Sequence, residues 1–307
     1  MPTVREFLEK IKFDGPVSYG ELLSGRTTFR IGGPAEALVE PGSRESLAAL
    51  LSAARAEGLP VFILGGGANL LVGDGGIRGL VVALKGLAGI RRSEEGLWAD
   101  AGAAVTDLVE AAAEAGLSGL EFAAGLPGSV GGAAYMNARC YEREFADVVV
   151  RIDYLDPGGT FGRLSPDRGE WAYKRTPFMP GGRLSGSVVL GAGFRLVPGD
   201  RAAIRARMRE LEADRAAKGH FDFPCAGSVF KNDRRFGRPT GKILDELGFR
   251  GRRLGTAAVS EKHANIFVNP GGATAADMRA LIDLARRDAR ERFGYELEPE
   301  VVIVGEP

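Results

Sequence analysis

The chain has 307 residues, more than one hydrophobic core usually carries, so two domains are expected and three small ones also fit. Apolar residues make up 45% and charged residues 26%, the balance of a globular protein able to bury a core, which excludes a fibrous or disordered chain. Forty Lys and Arg against forty Asp and Glu leave no formal net charge; that argues against a generic nucleic-acid or membrane-surface binder and makes any anion site local.

Along the chain, Thr3 and Glu6 have the capping-box spacing, Val4, Phe7, Leu8 and Ile11 share a helical face, and Gly15 closes a short folded helix that is no signal peptide. Thr28 to Pro41 reads as a strand with a turn at Gly32-Gly33-Pro34. A helix over Glu45 to Glu57 and a buried strand Val61 to Leu64 lead into Gly65-Gly66-Gly67-Ala68-Asn69-Leu70-Leu71. Strands at Gly79 to Leu84 and Gly96 to Asp100 and a helix from Thr106 to Ala115 indicate a second small α/β lobe. Periodicity stops over Gly119 to Asn137. Strands resume at Val148 to Leu155 and Ser187 to Leu196, and Pro198-Gly199-Asp200 reads as a linker. A third region holds a charged helix from Arg201 to Lys218, a helical stretch Gly241 to Leu247, a strand near Ala264 to Val268, a helix Thr274 to Arg292 and a strand Glu300 to Val304.

Glycine stands out at 45 residues, gathered in blocks suited to tight turns and close ligand approach. The first block follows a strand as a Rossmann turn would, yet Leu70 replaces the third glycine and Gly73 to Gly76 turns the chain before a crossover helix can form. Gly237 to Ile243 is one residue short of a phosphate loop and lacks its Ser or Thr. The second block, Gly119 to Ala133, offers closely spaced backbone N–H groups suited to a diphosphate. Two such blocks in one lobe point to a clamped dinucleotide. Cys140 and Cys225 are too few for a disulfide framework and point to a cytoplasmic protein. No apolar run approaches the roughly 20 residues of a membrane span. His220 and Cys225 have no second ligand pair nearby, so no metal site is expected, and His263 reads as a structural hydrogen-bonder.

At these residues the chain resembles the UDP-N-acetylenolpyruvoylglucosamine reductase family, also called UDP-N-acetylmuramate dehydrogenases. The matching segments run almost end to end: Thr28 to Gly33, Ile63 to Leu71, Ala124 to Gly132, Met136-Asn137-Ala138, Ala226 to Asn232, Val259 to Asn265 and Leu297 to Val301. With no loop inserted between Gly191-Ala192-Gly193-Phe194 and the helix at Arg201, the chain looks like the shorter class. The resemblance implies an α+β fold: a two-subdomain FAD-binding lobe of the FAD-binding type-2, PCMH-like kind (residues 1–78 and 79–200) and a C-terminal α/β substrate-binding domain (201–307). It implies non-covalent FAD held by Arg30, Gly32, Gly65, Gly66, Gly67, Ala68, Asn69, Leu70, Gly125, Pro127, Gly128, Ser129, Gly131, Gly132 and Ala133. It further implies NADPH as reductant and reduction of UDP-N-acetylglucosamine enolpyruvate to UDP-N-acetylmuramate, with no nucleic acid, membrane or protein partner required.

Hydride addition to the terminal enolpyruvyl carbon leaves an enolate, which needs charge stabilisation and a proton donor. The resemblance makes Ser228 the donor, gives Glu300 the polarisation of the intermediate, and places Lys231 and Asn232 on substrate. An isolated Ser in a Gly-Ser turn is ordinarily a turn hydroxyl, and its motif reverses that reading. The family's Tyr-Arg-x-Ser-x-Phe pattern meets Tyr173-Lys174-Arg175-Thr176-Pro177-Phe178 here, so the register puts Lys174 in the place of the carboxylate-binding arginine, with Arg175 as the alternative. An extended stretch would point the two to opposite faces. Arg139 and Cys140 are unusual beside Met-Asn-Ala. Two other readings are a flavin oxidoreductase for alcohols or hydroxy acids on the same lobe, and a non-catalytic binder of cell-wall precursors. Covalent FAD attachment through an N-terminal-lobe histidine is unavailable, because the only histidines are His220 and His263.

Overall fold

A computed structural model describes residues 3–167 and 169–307. The chain packs as two compact units. Unit 1 comprises Met1–Tyr19, Ala37–Gly66 and Gly79–Glu212; unit 2 comprises Gly20–Glu36, Gly67–Arg78 and Ala213–Pro307.

In unit 1, helix α1 (Val4–Lys10) carries the expected capping box, with Thr3 and Glu6 each accepting the other's backbone N–H. It ends earlier than Gly15, where Lys12 takes a positive φ. Helix α2 (Arg44–Ala56) is capped by Ser43 and buries Leu47, Leu50 and Ala54. These pack with Phe7 and Leu8 of α1 and with Leu80 and Val82 of a sheet ordered Val17–Tyr19, Ala35–Val39, Ile77–Ala83, Val61–Leu64. The last two strands run parallel.

A second, antiparallel sheet is ordered Phe161–Leu164, Val149–Leu155, Val188–Arg195, Gly96–Asp100, Ile90–Ser93. Helix α3 (Val105–Glu114) buries Val105, Leu108, Val109, Ala112 and Ala113, and the six-residue α4 (Val130–Tyr135) shares that core. Phe145 meets Phe122 and Phe194 edge to face, the arrangement favoured by ring quadrupoles. The segment read as a linker is hydrogen-bonded instead. Val197–Pro198 pairs with Leu117–Ser118, Gly199 donates to Gly116, and Asp200 accepts the Ala203 N–H at the start of helix α5 (Arg201–Ala217).

Unit 2 is built on an antiparallel sheet ordered Cys225–Ser228, Ile266–Val268, Ala257–Val259, Arg253–Leu254, with α6 (Thr240–Glu246) and α7 (Ala275–Phe293). Its core joins Met278, Leu281, Ile282 and Ala285 of α7 to Val229, Phe230, Phe267 and, from much earlier in the chain, Phe29, Ile31 and Leu71. The strand Val302–Val304 pairs in parallel with Leu70–Val72.

The expected strand from Thr28 to Pro41 is only Ala35–Val39. Residues 27–31 form a turn instead: Arg30 donates to the Thr27 carbonyl and takes φ +53, and the Thr27 hydroxyl donates to the Ile31 carbonyl. A non-glycine residue in the left-handed region is held there by its surroundings, which here include buried Asn269, a donor to the Arg30 carbonyl.

Candidate active site

In unit 1, the strand Val61–Leu64 delivers Gly65 and Gly66 beside the second glycine block. Ser129, buried and N-capping α4, accepts the Gly66 N–H at 3.1 Å and the Gly132 N–H at 3.3 Å, so one hydroxyl ties the two blocks together. The approach tolerates no side chains: a Cβ on Gly66 would lie 2.5 Å from Gly128 Cα, and one on Gly65 2.6 Å from Ser129 Oγ. Helix α4 is not itself an anion cradle. Its Val130 and Gly131 N–H groups donate to Ala103 and Ala101, and Gly131 packs on Ala101. Among the described residues, the N–H groups of Gly65, Gly125, Gly128 and Ser129 donate to no protein acceptor, which suits them to a phosphate-bearing ligand. Pro127 has no N–H, and Ala133 is buried against the core.

The Lys174 segment, also in unit 1, is not extended. Ala172 and Arg175 exchange both backbone hydrogen bonds, so Tyr173 and Lys174 form the tip of a two-residue hairpin, with Lys174 at φ +54. Alternation along an extended strand therefore does not separate the two cations. Burial does: Lys174 is half-buried and Arg175 exposed. The turn is anchored by fully buried Asn137, which donates to Ala172 O at 3.0 Å and accepts the Ala146 N–H, and by Thr176, which donates to Tyr135 O at 2.7 Å. Arg139 lies over the Tyr173 ring at 5.5 Å.

In unit 2, Gly67 takes φ +61 with its α-carbon against the Arg26 carbonyl, and the N–H groups of Gly67, Ala68 and Asn69 find no protein acceptor among the described residues. Gly32 packs on Val72, next to the strand that begins at Leu70. Ser228 ends a strand with a one-residue bulge: Cys225 pairs with Val268 and Ser228 with Ile266, and Gly227 takes φ +74. A bulge of this kind re-aims the next side chain, and only glycine takes that backbone without strain. The following residues meet the segment that carries Glu300. Glu300 donates its N–H to Val229 O at 2.7 Å and Lys231 donates to Glu298 O at 3.0 Å. Asn69 Nδ2 donates to Glu300 O at 2.9 Å. Ser228, Glu300 and Asn69 are thus assembled on one backbone junction. Lys231 forms an ion pair with Glu298, and Asn232 Oδ1 accepts the Thr240 N–H at the start of α6.

Two buried asparagines do more here than the sequence announces. Asn265 brackets Phe230, and Asn269 donates to the carbonyls of Phe29 and Arg30 while accepting the N–H groups of Gly271 and Ala273. His263 Nδ1 accepts the Asn265 N–H, the structural part expected of it. The Cys225 thiol donates to His220 O, and no group of three or more His, Cys, Asp or Glu able to hold a metal occurs among the described residues.

Known families match both parts of the chain: a FAD binding domain over residues 35–165, and the C-terminal domain of UDP-N-acetylenolpyruvoylglucosamine reductase over 219–304. The UDP-N-acetylenolpyruvoylglucosamine reductase of Rubrobacter xylanophilus is 44% identical over 306 residues, 99% of each chain. That of Lactiplantibacillus plantarum is 40% identical over 94% of each. The chain belongs to the UDP-N-acetylenolpyruvoylglucosamine reductase family. The crystal structure of the Thermus caldophilus reductase superposes with a TM-score of 0.78 at 34% identity, covering 94% of this chain and 99% of that one. The protein is accordingly a FAD-dependent oxidoreductase of α+β fold. In unit 1 the unpartnered N–H groups of Gly65, Gly125 and Gly128, with no side chain of their own, are chemically suited to phosphate oxygens. No helix of the described residues is long and apolar enough to cross a membrane.

Proposed function

We propose that this enzyme performs the family's reaction in the cytoplasm with Ser228 as proton donor, Glu300 polarising the intermediate, and Lys174 on the substrate carboxylate. It reduces the enolpyruvyl group of UDP-N-acetylglucosamine enolpyruvate to UDP-N-acetylmuramate in peptidoglycan precursor synthesis, with NADPH as reductant and no protein partner required. FAD held by the glycine blocks and reduced by NADPH would supply a hydride for the terminal enolpyruvyl carbon. The charge left on the adjacent carbon spreads into the carboxylate. A lysine suffices there, because a point charge in a dry site stabilises delocalised enolate charge. The Ser228 hydroxyl then protonates that carbon; a serine serves as the acid because an enolate is a strong base. Lys231 and Asn232 fit the substrate's phosphates, and Arg30, Gly32, Gly65 to Leu70, Gly125, Gly128 and Ser129 fit the cofactor. In this reading residues 1–78 and 79–200 serve FAD and 201–307 serve substrate.

The observation that carries the assignment of the pair is the Val229 junction, where the Glu300 N–H meets the carbonyl one residue beyond Ser228. Stopped-flow absorbance of the holoenzyme tests it. Ser228→Ala leaves bleaching of the flavin by NADPH near its normal rate and slows reoxidation by the enolpyruvyl substrate by at least roughly 10²- to 10⁴-fold; equal damage to both halves removes Ser228 from the proton step. In the same assay Lys174→Ala slows reoxidation far more than Arg175→Ala, and Lys174→Arg keeps substantial activity. The reverse order transfers the role to Arg175.

A further inference from the structure

The regular ladder of the strand Cys225–Ser228 with Ile266–Val268 ends at Ser228, opposite Ile266. Beyond it the partner chain turns away, with Ile266 N–H closing on His263 O. The next residues, Val229 and Phe230, nevertheless need partners on that edge because both are fully buried. Asn265 supplies them. Its main-chain carbonyl accepts the Val229 N–H at 2.9 Å, its side-chain Oδ1 accepts the Phe230 N–H at 3.0 Å, and its Nδ2 donates to Phe230 O at 2.9 Å. One neutral side chain, itself 2% exposed, thus imitates a neighbouring strand by offering an acceptor and a donor to a single residue. The opposite edge of this stretch holds the Glu300 segment through Val229 O and the Lys231 N–H. The His263 Nδ1 bond to the Asn265 N–H sets the orientation of the brace.

We infer that Asn265 is a positioning residue for proton delivery: by gripping Val229 and Phe230 it sets the placement of Ser228 relative to Glu300. The inference rests on the proposed roles of Ser228 and Glu300. Few other side chains can do this. Leucine leaves both Phe230 groups unsatisfied in the core, and an ionised carboxylate accepts the N–H but opposes the carbonyl. A protonated carboxyl, with one acceptor and one donor, restores both bonds.

That last property gives the test. In the Asn265→Asp holoenzyme at neutral pH, reoxidation by the enolpyruvyl substrate falls by roughly 10- to 100-fold, the scale on which displacement by an ångström acts, while reduction by NADPH changes less than about twofold. Relative to the unaltered enzyme at each pH, reoxidation recovers as pH falls and the carboxyl protonates. In the combined Ser228→Ala/Asn265→Asp enzyme the second change adds little, since a brace acting through Ser228 has nothing left to position. If the Asp variant does not fold with FAD, Asn265→Ser is read by the same split between half-reactions and the same lack of additivity. Equal slowing of both half-reactions, a loss in Asn265→Asp indifferent to pH, or multiplicative effects in the combined variant overturns the inference. A silent Ser228→Ala overturns the underlying reading and the inference with it; a crippling Ser228→Ala beside a silent Asn265→Asp overturns the inference alone.

Discussion

On the five-stranded sheet of unit 1, Trp98 lies against Gly191 and Gly193 of the next strand, and at Gly191 a side chain would displace it. The guanidinium groups of Arg44, Arg91 and Arg151 sit 5.5, 5.1 and 4.9 Å from its ring. Asp100 and Asp153 hold those cations, with Arg44 to Asp100 at 2.9 Å and Arg151 to Asp153 at 2.9 Å. Burial works to raise the Asp153 carboxyl, but Arg151 and Arg44 outweigh it and keep it below the usual carboxylate range. In unit 2 the corresponding work is done by neutral amides. Asn69, Asn265 and Asn269 bind loop backbone directly, and Ser228, Glu300 and Arg30 lie on that backbone or beside it. The contrast follows from burial. A half-exposed surface tolerates ion pairs that water and salt weaken, whereas a dry loop junction is braced at lower desolvation cost by groups carrying a donor and an acceptor without net charge.

The largest effect expected from breaking this contrast is at Asn269. Asn269→Leu leaves the buried Phe29 carbonyl and Ala273 N–H, and the more exposed Arg30 carbonyl and Gly271 N–H, without their partner, at about 1–3 kcal/mol for each that stays buried and unsatisfied. Urea unfolding measures the loss, which is the same at low and high salt because no ion is involved. Gly191→Ala comes next. Its new Cβ would sit 2.5 Å from Trp98 Cζ2 and 2.8 Å from the Ala99 carbonyl, an overpacking that costs about 1–3 kcal/mol, checked by the same denaturation and by a shift in tryptophan emission. Arg151→Met costs less than about 1 kcal/mol and makes stability less sensitive to salt; a larger, salt-independent loss would mean that the arginines work by packing rather than charge.

A pH-dependent effect of similar size to that at Arg151 concerns His220, whose pKa burial first, and then Arg215, His263 and Lys218, push down to about 4. The folded state keeps this imidazole neutral at a pH where the unfolded chain protonates it, so its contribution is intact above about 6.5 and erodes as pH falls toward 4. Over that window the Tm of the unaltered protein drops by about 2–4 °C more than that of His220→Gln, a modest figure because the ring is partly exposed to screening solvent.

Elements set by local pattern were legible in the sequence. The capping box of Thr3 and Glu6 starts α1, Leu47, Leu50 and Ala54 mark the buried face of α2, the apolar run Val61–Leu64 is a strand, and the glycine blocks stand where backbone approaches backbone. Each rests on residues within a turn or two of one another, so spacing alone carries the physics. The turn at Arg30, the hairpin tip at Lys174, the anchoring of Pro198 to Asp200 and the tasks of Asn137, Asn265 and Asn269 were not legible. Asn269 meets Phe29 across 240 positions and Asn265 meets Phe230 across 35. An asparagine in a loop carries the same local signal whether it faces water or closes such a bond. The sequence by itself therefore determined the family, the main helices and strands, and the candidate chemistry; only the tertiary structure decided which neutral side chains hold that chemistry in place, because their partners are chosen by burial, and burial exists only once distant segments have packed.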